Sequence, residues 1–257
     1  MDYVIIKVPA APLRRKARHQ GEMTNQLLFG DTLKVLKKKG EKWIKVRNLS
    51  DGYEGWLTRH LVAEITEKEA KAGIGFPYVA AGLINTITMG QQPMHIPLAA
   101  NLPGWDGALG RLNGIVYQLE GNVIRRPGTP PDPALVRSTV APWLNAPYMW
   151  GGKTIFGVDC SGFVQVNFKM LGIDISRDAW QQAQEGELVD KLKNAECGDL
   201  AFFDDRDEIV HVGMLLGNDA IMHASGKVRI DQIDKKGIIN AGTGKRTHSL
   251  RVIKRYW

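Results

Sequence analysis

Residues 147–165 read Pro-Tyr-Met-Trp-Gly-Gly-Lys-Thr-Ile-Phe-Gly-Val-Asp-Cys-Ser-Gly-Phe-Val-Gln, and the chain changes character at Cys160. The glycines before it, Gly151, Gly152 and Gly157, are typical of a loop with tight turns. The residues after it form a mixed apolar run of helical length that ends at Gly172. The pattern predicts a helix with Cys160 at its N-terminus, where unpaired amide N–H groups and the helix dipole stabilise a thiolate or an oxyanion.

Two histidines downstream offer the base that a nucleophilic cysteine needs. His211 lies in Ile-Val-His-Val-Gly-Met-Leu-Leu and His223 in Ala-Ile-Met-His-Ala-Ser, and both apolar runs are typical of buried strands. The Gly-Asn-Asp turn at 217–219 indicates a hairpin, which would hold the two imidazoles side by side. In this interpretation His211 takes the proton from Cys160, and His223 orients His211. The alternative is a small buried cysteine and two hydrogen-bonded core histidines.

Four sequence blocks together resemble the signature of the NlpC-type cell-wall peptidases. They are residues 148–152 with 159–163, the Gly-Asp-Leu-Ala-Phe-Phe run at 198–203, His211-Val-Gly, and His223-Ala-Ser. The blocks follow the family's order and cover about residues 132–257. The resemblance implies a papain-like α+β fold that hydrolyses γ-D-glutamyl bonds in peptidoglycan peptides. It also implies the roles of nucleophile for Cys160, base for His211 and orienting residue for His223.

Residues 1–70 are predicted to form a small β-barrel. Short β-branched or alternating runs at 3–8, 32–36, 43–47 and 54–57 are separated by turn residues. The spacing of Gly-Asp-Thr-Leu, Trp-Ile-Lys-Val and Gly-Tyr-Glu-Gly-Trp-Leu within this segment resembles bacterial SH3-like domains.

The same resemblance assigns a binding role to two residues of this first barrel. In one subgroup of the peptidases, which acts on free muropeptides, the barrel abuts the catalytic cleft and holds the substrate's N-terminal amine. Glu22 and Tyr53 match the acidic residue and the tyrosine of that subgroup. An ammonium group needs an anionic acceptor, and a phenol oxygen or ring supplies a second contact. The alternative is a surface glutamate and a tyrosine of the barrel itself.

The remaining chain completes a three-domain prediction. Residues 74–128 contain further short strand patterns and resemble a second, divergent SH3-like barrel. The segment 126–131 is a linker, after which Asp132 and Pro133 begin a helix. The predicted fold class is therefore α+β, with a papain-like peptidase domain at 132–257 preceded by two small SH3-like β-barrels.

Four residues near the predicted nucleophile are candidates for substrate binding. Tyr148 lies on the oxyanion side in the family, and Asp159 and Ser161 flank the cysteine. Asp178 matches an acidic position that assists amine recognition in the subgroup, although it also suits a helix N-cap. Ala179 departs from the serine that usually follows, so a substrate contact there is not implied.

The resulting hypothesis is a cysteine peptidase of murein recycling. It would cut the γ-D-glutamyl bond to diaminopimelate or lysine in peptides that carry a free N-terminal L-alanine, without a metal or other cofactor. The alternatives are an endopeptidase of intact wall whose barrels bind the wall, a non-catalytic wall-binding protein, and a papain-like acyltransferase or amidase.

Composition and charge exclude several other classes. The net charge of +7 is concentrated in short clusters around residues 14–18 and 34–39, which are typical of solvated loops rather than of nucleic-acid binding. Only two cysteines, Cys160 and Cys197, are present, so no disulfide scaffold is expected. No apolar run reaches the ~18 residues of a membrane span.

The expected partner is thus the peptide substrate alone, and the protein is predicted to be a monomer. The N-terminal residues lack the features of a signal peptide, so we expect a cytoplasmic protein. A chain whose leader had been removed would look the same and would be periplasmic or extracellular.

Overall fold

A computed structural model describes residues 2–257 of the chain. The chain divides into two compact units, of which the first ends at Arg126 and the second is Pro127–Trp257. The division falls in the segment that the sequence analysis interprets as a linker.

Seven antiparallel strands form the first sheet of the first unit. They are β1 (Tyr3–Ile6), β2 (Ala10–Arg14), β3 (Met23–Leu28), β4 (Thr32–Lys39), β5 (Trp43–Asn48), β6 (Glu54–Thr58) and β7 (Val62–Ile65). Their order is β3-β2-β6-β5-β4-β1-β7. Alternate residues such as Val4, Leu33, Val46 and Leu57 are fully buried in one core, because successive side chains of a strand point to opposite faces.

Three of these seven strands are absent from the sequence prediction. Strand β2 contains Pro12, and β3 contains the polar run Thr-Asn-Gln, so neither presents the β-branched pattern that marks a strand. Strand β7 is only four residues long. Their pairing with neighbouring strands, rather than their own composition, makes them part of the sheet.

A short helix, α1 (Glu67–Ala72), precedes the second part of the first unit. Thr66 and Glu69 form a capping box at the N-terminus of this helix. Its strands are β8 (Tyr78–Ala80), β9 (Ile84–Met89), β10 (Gln92–Pro97), β11 (Leu109–Leu112), β12 (Ile115–Glu120) and β13 (Val123–Arg125). Four of them form a sheet in the order β10-β9-β12-β11, and β13 pairs with β8. Strands β10 and β11 extend into the segment 93–110. The sequence did not predict strands there, because the segment is rich in glycine and proline.

Most of the second unit is a seven-stranded antiparallel sheet. Its strands are β16 (Glu187–Val189), β17 (Leu200–Asp205), β18 (Glu208–Leu215), β19 (Ala220–Ser225), β20 (Lys227–Asp234), β21 (Gly237–Ile239) and β22 (Arg246–Arg255). A separate small hairpin of β14 (Lys153–Thr154) and β15 (Gly157–Val158) precedes them in the sequence. The order is β16-β22-β17-β18-β19-β20-β21. Because β21 also pairs with β22, the last six strands form a closed ring.

The helices of the second unit are α2 (Pro133–Val140), α3 (Cys160–Met170) and α4 (Ala179–Gln182). Single 3-10 turns span Arg59–Leu61, Ala141–Trp143 and Leu192–Asn194. Helix α3 is buried at ten of its eleven residues and packs against β18 and β19. The helix therefore lies inside the core, where its buried polar side chains find protein partners: Gln165 donates to the carbonyl oxygen of Ile175 and Asn167 to that of Phe163.

The part of the chain from residue 2 to residue 257 contains no helix that could span a lipid bilayer.

Candidate active site

Cys160 is the first residue of α3, where the sequence predicts it. The preceding residue, Asp159, is the N-cap, and its Oδ1 accepts the N–H of Gly162 at 2.7 Å. The cysteine is 7% exposed, and its thiol is free. The predicted nucleophile is thus held at a helix N-terminus, almost out of contact with water.

The loop before the helix is folded tightly around Asp159. Its Oδ2 accepts the N–H of Gly151 at 2.8 Å. A Cβ on Gly162 would lie 2.3 Å from the carbonyl oxygen of Gly152, so only glycine allows the helix to approach the loop so closely. These contacts explain why this stretch combines several glycines with an aspartate next to the cysteine.

A buried arginine completes the support of this loop. Arg177 is 1% exposed, and its Nη2 donates to Asp159 Oδ2 at 2.7 Å while its Nη1 donates to Ser161 Oγ at 2.7 Å. Two of the residues predicted to bind substrate, Asp159 and Ser161, are buried and hydrogen-bonded to protein groups. Their roles in substrate binding stay predictions.

The two histidines lie on the hairpin that the sequence predicts, His211 on β18 and His223 on β19. His211 Nε2 and His223 Nδ1 are 2.8 Å apart, a hydrogen-bond distance. Strand β18 also reaches the nucleophile, because the backbone N–H of Val212 forms a hydrogen bond to the sulfur of Cys160. The structure therefore brings the histidine pair and Cys160 into one region through β18, and the roles of nucleophile, base and orienting residue stay predictions.

Two further side chains extend this group, and the sequence analysis did not single out either. Asp231 on β20 accepts from His223, with Oδ2 at 3.0 Å from Nε2. His248 on β22 stacks on His211, with ring centroids 4.2 Å apart and planes inclined by 22°. The alternation Arg229, Asp231, Ile233 along β20 is the one signal that could have placed Asp231 on an inward face.

Burial determines the charge state of the resting site. It raises the pKa of the Cys160 thiol to about 12, although the N–H groups of Val212 and Ser161 favour the thiolate. Burial and the neighbouring histidines hold the pKa of His211 well below its usual value, and burial lowers the pKa of His223 to about 4. Burial therefore opposes the thiolate that the helix N-terminus alone would favour, and it likewise opposes a charged imidazolium on either histidine.

Tyr148 lies beside the nucleophile. Burial, together with the Cys160 and Asp159 charges, raises the pKa of its phenol to about 12, so the hydroxyl keeps its proton. The side chain is 36% exposed and can meet a ligand. Its predicted role as a hydrogen-bond donor to substrate is compatible with this position and stays a prediction.

Asp178 is the N-cap residue of α4, and its backbone N–H donates to Gln181 Oε1 at 3.3 Å. This is the structural role that the sequence analysis set beside amine recognition. The side chain is partly exposed, while the neighbouring Ala179 is buried.

Glu22 and Tyr53 belong to the first unit. Glu22 forms an ion pair with Arg15, whose Nε lies 3.0 Å from Glu22 Oε2. Tyr53 is partly buried against the core of the first sheet. Their predicted contacts to a substrate amine stay predictions.

The second cysteine and the histidines give no other site. The thiol of Cys197 is free and partly buried. Among residues 2–257, no cluster of three or more His, Cys, Asp and Glu side chains has the arrangement of a metal site.

A cysteine at the start of a buried helix, facing an antiparallel sheet that carries a histidine pair, defines a papain-like cysteine peptidase site. Residues 145–247 match the NlpC/P60 family, and residues 13–60 match the bacterial dipeptidyl-peptidase SH3 domain. The gamma-D-glutamyl-L-lysine dipeptidyl-peptidase of Bacillus subtilis is 30% identical over 221 residues, which cover 77% of this chain and 71% of the relative. The chain belongs to the NlpC/P60 family.

Two other relatives and one solved structure are also similar to this chain, the structure in its fold. The Bacillus cereus protein of the same name is 28% identical, over 88% of this chain and 75% of its own. The murein DD-endopeptidase MepS/murein LD-carboxypeptidase of Escherichia coli is 38% identical over 33% of this chain and 45% of its own. A crystal structure of an NlpC/P60 family protein from Bacillus cereus has a TM-score of 0.80 at 21% identity and covers 99% of both chains.

These matches confirm the predicted α+β fold class, with a papain-like peptidase domain and an SH3-like domain before it. The family match begins at residue 145 and the SH3 match ends at residue 60. The second barrel and the borders of the three domains stay predictions.

Proposed function

We propose that the protein is a cysteine peptidase that hydrolyses the γ-D-glutamyl-L-diamino acid bond of peptidoglycan-derived peptides with a free N-terminal L-alanine. The observation that carries the proposal is the hydrogen-bonded pair His211–His223 beside a cysteine at a helix N-terminus. Two relatives that match most of the chain are gamma-D-glutamyl-L-lysine dipeptidyl-peptidases, which supports this bond as the target.

The reaction is acyl transfer in two steps. The Cys160 sulfur attacks the γ-carbonyl of D-glutamate as its proton passes to His211. The carbonyl oxygen becomes an oxyanion, for which the N-terminus of α3 and the Tyr148 hydroxyl are the nearby donors. His211 then gives its proton to the amine of the leaving diamino acid, and a thioester remains on Cys160.

Water completes the second step. His211 takes a proton from water, the resulting hydroxide attacks the thioester, and the sulfur leaves and recovers its proton. The products are L-Ala-D-Glu and a peptide or amino acid with a free amine. Apart from water, the reaction needs no co-substrate, and it involves no oxidant or reductant.

The selectivity for a free amine rests on the predicted roles of Glu22, Tyr53 and Asp178. An acidic side chain stabilises an ammonium group but gains nothing from an acetylated nitrogen. The second candidate is an endopeptidase of intact wall, which the 38% identity over 86 aligned residues to the murein DD-endopeptidase of Escherichia coli favours.

Product analysis by mass spectrometry separates the candidates. The protein and a Cys160→Ala control are incubated with L-Ala-γ-D-Glu-meso-diaminopimelate, with its N-acetylated form and with the corresponding lysine peptides. We expect cleavage of the free-amine peptides alone, and none by the control. Equal cleavage of the acetylated peptides would favour the wall endopeptidase, and no cleavage of any peptide would refute the proposal.

A further inference from the structure

Asp231 occupies the end of a buried hydrogen-bonded chain that starts at His211. The carboxylate is 2% exposed, and its Oδ2 is 3.0 Å from His223 Nε2. Its other oxygen, Oδ1, accepts the N–H of Ala241 and the Nη2 of Arg229, each at 2.8 Å. Arg229 Nε also lies 2.8 Å from Oδ2 as an ion pair, although its N–H is not aligned for a hydrogen bond.

The register of the sheet creates this contact. Strands β19 and β20 pair His223 with Arg229 and Ile221 with Asp231, so Asp231 is the diagonal neighbour of His223 on the same face. Ala241 belongs to the loop between β21 and β22 and fixes the carboxylate from the other side. Apart from His223, the groups that hold the aspartate, Arg229 and the N–H of Ala241, can only donate.

The carboxylate remains charged in this setting. Burial raises the pKa of Asp231, but hydrogen bonds from Arg229, Ala241 and His223 outweigh that effect, so the net pKa lies below its ordinary value. A charged carboxylate can only accept hydrogen bonds. The nitrogen that faces it, His223 Nε2, must therefore carry a proton.

The proton on His223 Nε2 determines the direction of the next hydrogen bond, the one between His223 and His211. A neutral imidazole has one protonated nitrogen, so His223 Nδ1 is then an acceptor. The atom opposite it, His211 Nε2, must donate and therefore carries the proton of that ring. His211 Nδ1 is left with a lone pair, which is what a base for the Cys160 thiol requires.

We propose that Asp231 is a positioning residue that sets the tautomers of both histidines and thereby makes His211 a base. Without the carboxylate, the hydrogen bond between the two histidines can run in either direction. In the reversed direction His211 Nδ1 carries the proton and cannot accept another. This inference rests on the proposed function for its catalytic consequence, whereas the tautomers themselves do not depend on the substrate.

The substitution Asp231→Asn should reverse the direction of the hydrogen bonds that link residue 231, His223 and His211, rather than merely remove one of them. The Oδ1 position faces two aligned fixed donors, Ala241 N–H and Arg229 Nη2, whereas Arg229 Nε near Oδ2 makes no hydrogen bond, so the amide oxygen should stay at the Oδ1 position. The amide nitrogen then occupies the Oδ2 position and donates to His223 Nε2, the one partner that can change its tautomer. His223 Nδ1–H would donate to His211 Nε2, and His211 would lose its free lone pair at Nδ1.

The first measurement is the ¹⁵N NMR spectrum of the histidine rings in the full-length protein, assigned with single His→Gln variants. We expect both His211 and His223 to be protonated at Nε2 in the wild type and at Nδ1 in Asp231→Asn. A wild-type His211 protonated at Nδ1 would overturn the proposal even if the variant failed to fold.

The second measurement is steady-state kinetics with the free-amine peptide. Loss of a general base costs ~100-fold or more in rate, so we expect kcat of Asp231→Asn to fall by at least that factor with KM nearly unchanged. The matched control is Asp234→Asn on the same strand, which breaks an ion pair with Arg246 (2.6 Å) away from the histidines and should keep wild-type kcat.

A double variant separates positioning from general damage to the fold. In a His223→Gln background there is no second imidazole to orient, so adding Asp231→Asn should change kcat little further. A full additional loss there, or a wild-type kcat in the single variant, would contradict the proposal. If no peptide is cleaved at all, the proposed function fails, while the ring tautomers still test the role of Asp231.

Discussion

At the scale of single residues, the site combines a buried thiol with buried imidazoles. Burial raises the pKa of Cys160 and lowers that of His211, so each effect opposes an ion pair at rest. Proton transfer must then accompany the attack on the carbonyl, when substrate and the donors at the start of α3 stabilise the developing charge.

The histidines should make stability depend on pH. The pKa of His223 is near 4 in the folded chain, while an unfolded histidine titrates near ~6.5. Between these values the unfolded state binds more protons, so the free energy of unfolding falls as pH drops, by up to about 1.4 kcal/mol per pH unit for each such group. Urea denaturation of wild type between pH 7.5 and 4 should show this slope.

The comparison with His223→Gln isolates the contribution of that ring. The variant should have a shallower slope, because it lacks one group that is neutral when folded and protonated when unfolded. His60→Gln, at an exposed position in the first unit, is the control and should follow the wild type. Parallel curves for all three proteins would show that His223 is not held neutral by the fold.

Arg177 offers a separate prediction on stability. Replacing it with methionine leaves the buried Asp159 carboxylate without its charged partner, and such losses cost about 3–5 kcal/mol. The control is Arg246→Met, because the exposed pair Arg246–Asp234 should contribute at most ~1 kcal/mol. Urea titration at neutral pH measures both, and equal losses would mean that Arg177 acts like a surface ion pair.

The sequence identified the reactive residues that stand in local motifs. It did not identify the residues that come close to them only through the pairing of strands. Cys160, His211 and His223 stand in short local motifs, and the structure brings them together. Asp231 lies beside the histidine pair only because the register of β19 and β20 makes it the diagonal neighbour of His223. His248 lies there because β22 closes the ring of strands. One sequence gives the alternation of a strand but not the partner residue across it.

At the scale of elements, the same limit explains the errors in the fold. Helix α3 and the hairpin of β18 and β19 were predictable, because an apolar run of helical length and a Gly-Asn-Asp turn are strong local signals. Strands β2, β3 and β10 carry proline or polar residues and become strands through pairing with better-marked neighbours. Local composition could not reveal them.

The hairpin also explains the glycine after His211 and Val212. A Cβ on Gly213 would lie 2.8 Å from the Cβ of His223 and 2.7 Å from a methyl carbon of Ile221. The missing side chain therefore makes room for His223 on the neighbouring strand. The glycine on β18 therefore allows His223 on β19 to lie as close to this strand as it does.

We expect Gly213→Ala to displace His223 and lower kcat, because the hydrogen bond of 2.8 Å to His211 cannot survive a shift of the backbone unchanged. Overpacking of this kind also costs about 1–3 kcal/mol of stability. Gly217→Ala in the turn of the same hairpin is the control, since the nearest atom to its new Cβ would be 3.5 Å away. Wild-type kcat in Gly213→Ala would show that β19 adapts without loss.

At the scale of the whole molecule, the two units carry separate parts of the proposed function. The second unit contains its own hydrophobic core and all of Cys160, His211, His223 and Asp231. The first unit contains the SH3 match and the two residues predicted to bind the substrate amine, Glu22 and Tyr53. Chemistry and amine recognition can therefore be tested independently.

The fragment Pro127–Trp257 should fold by itself, because a chain of about 130 residues with its own core lies within the usual size of an independent domain. A cooperative urea transition, together with alkylation of Cys160 at the full-length rate, would demonstrate an intact catalytic unit. If Glu22 and Tyr53 bind the amine, the fragment should lose its preference for the free-amine peptide over the acetylated one. Glu22→Gln in the full chain should lower the same preference without changing the alkylation of Cys160. A fragment that folds and keeps the full preference would show that selectivity arises in the second unit, with Asp178 as the acidic candidate there.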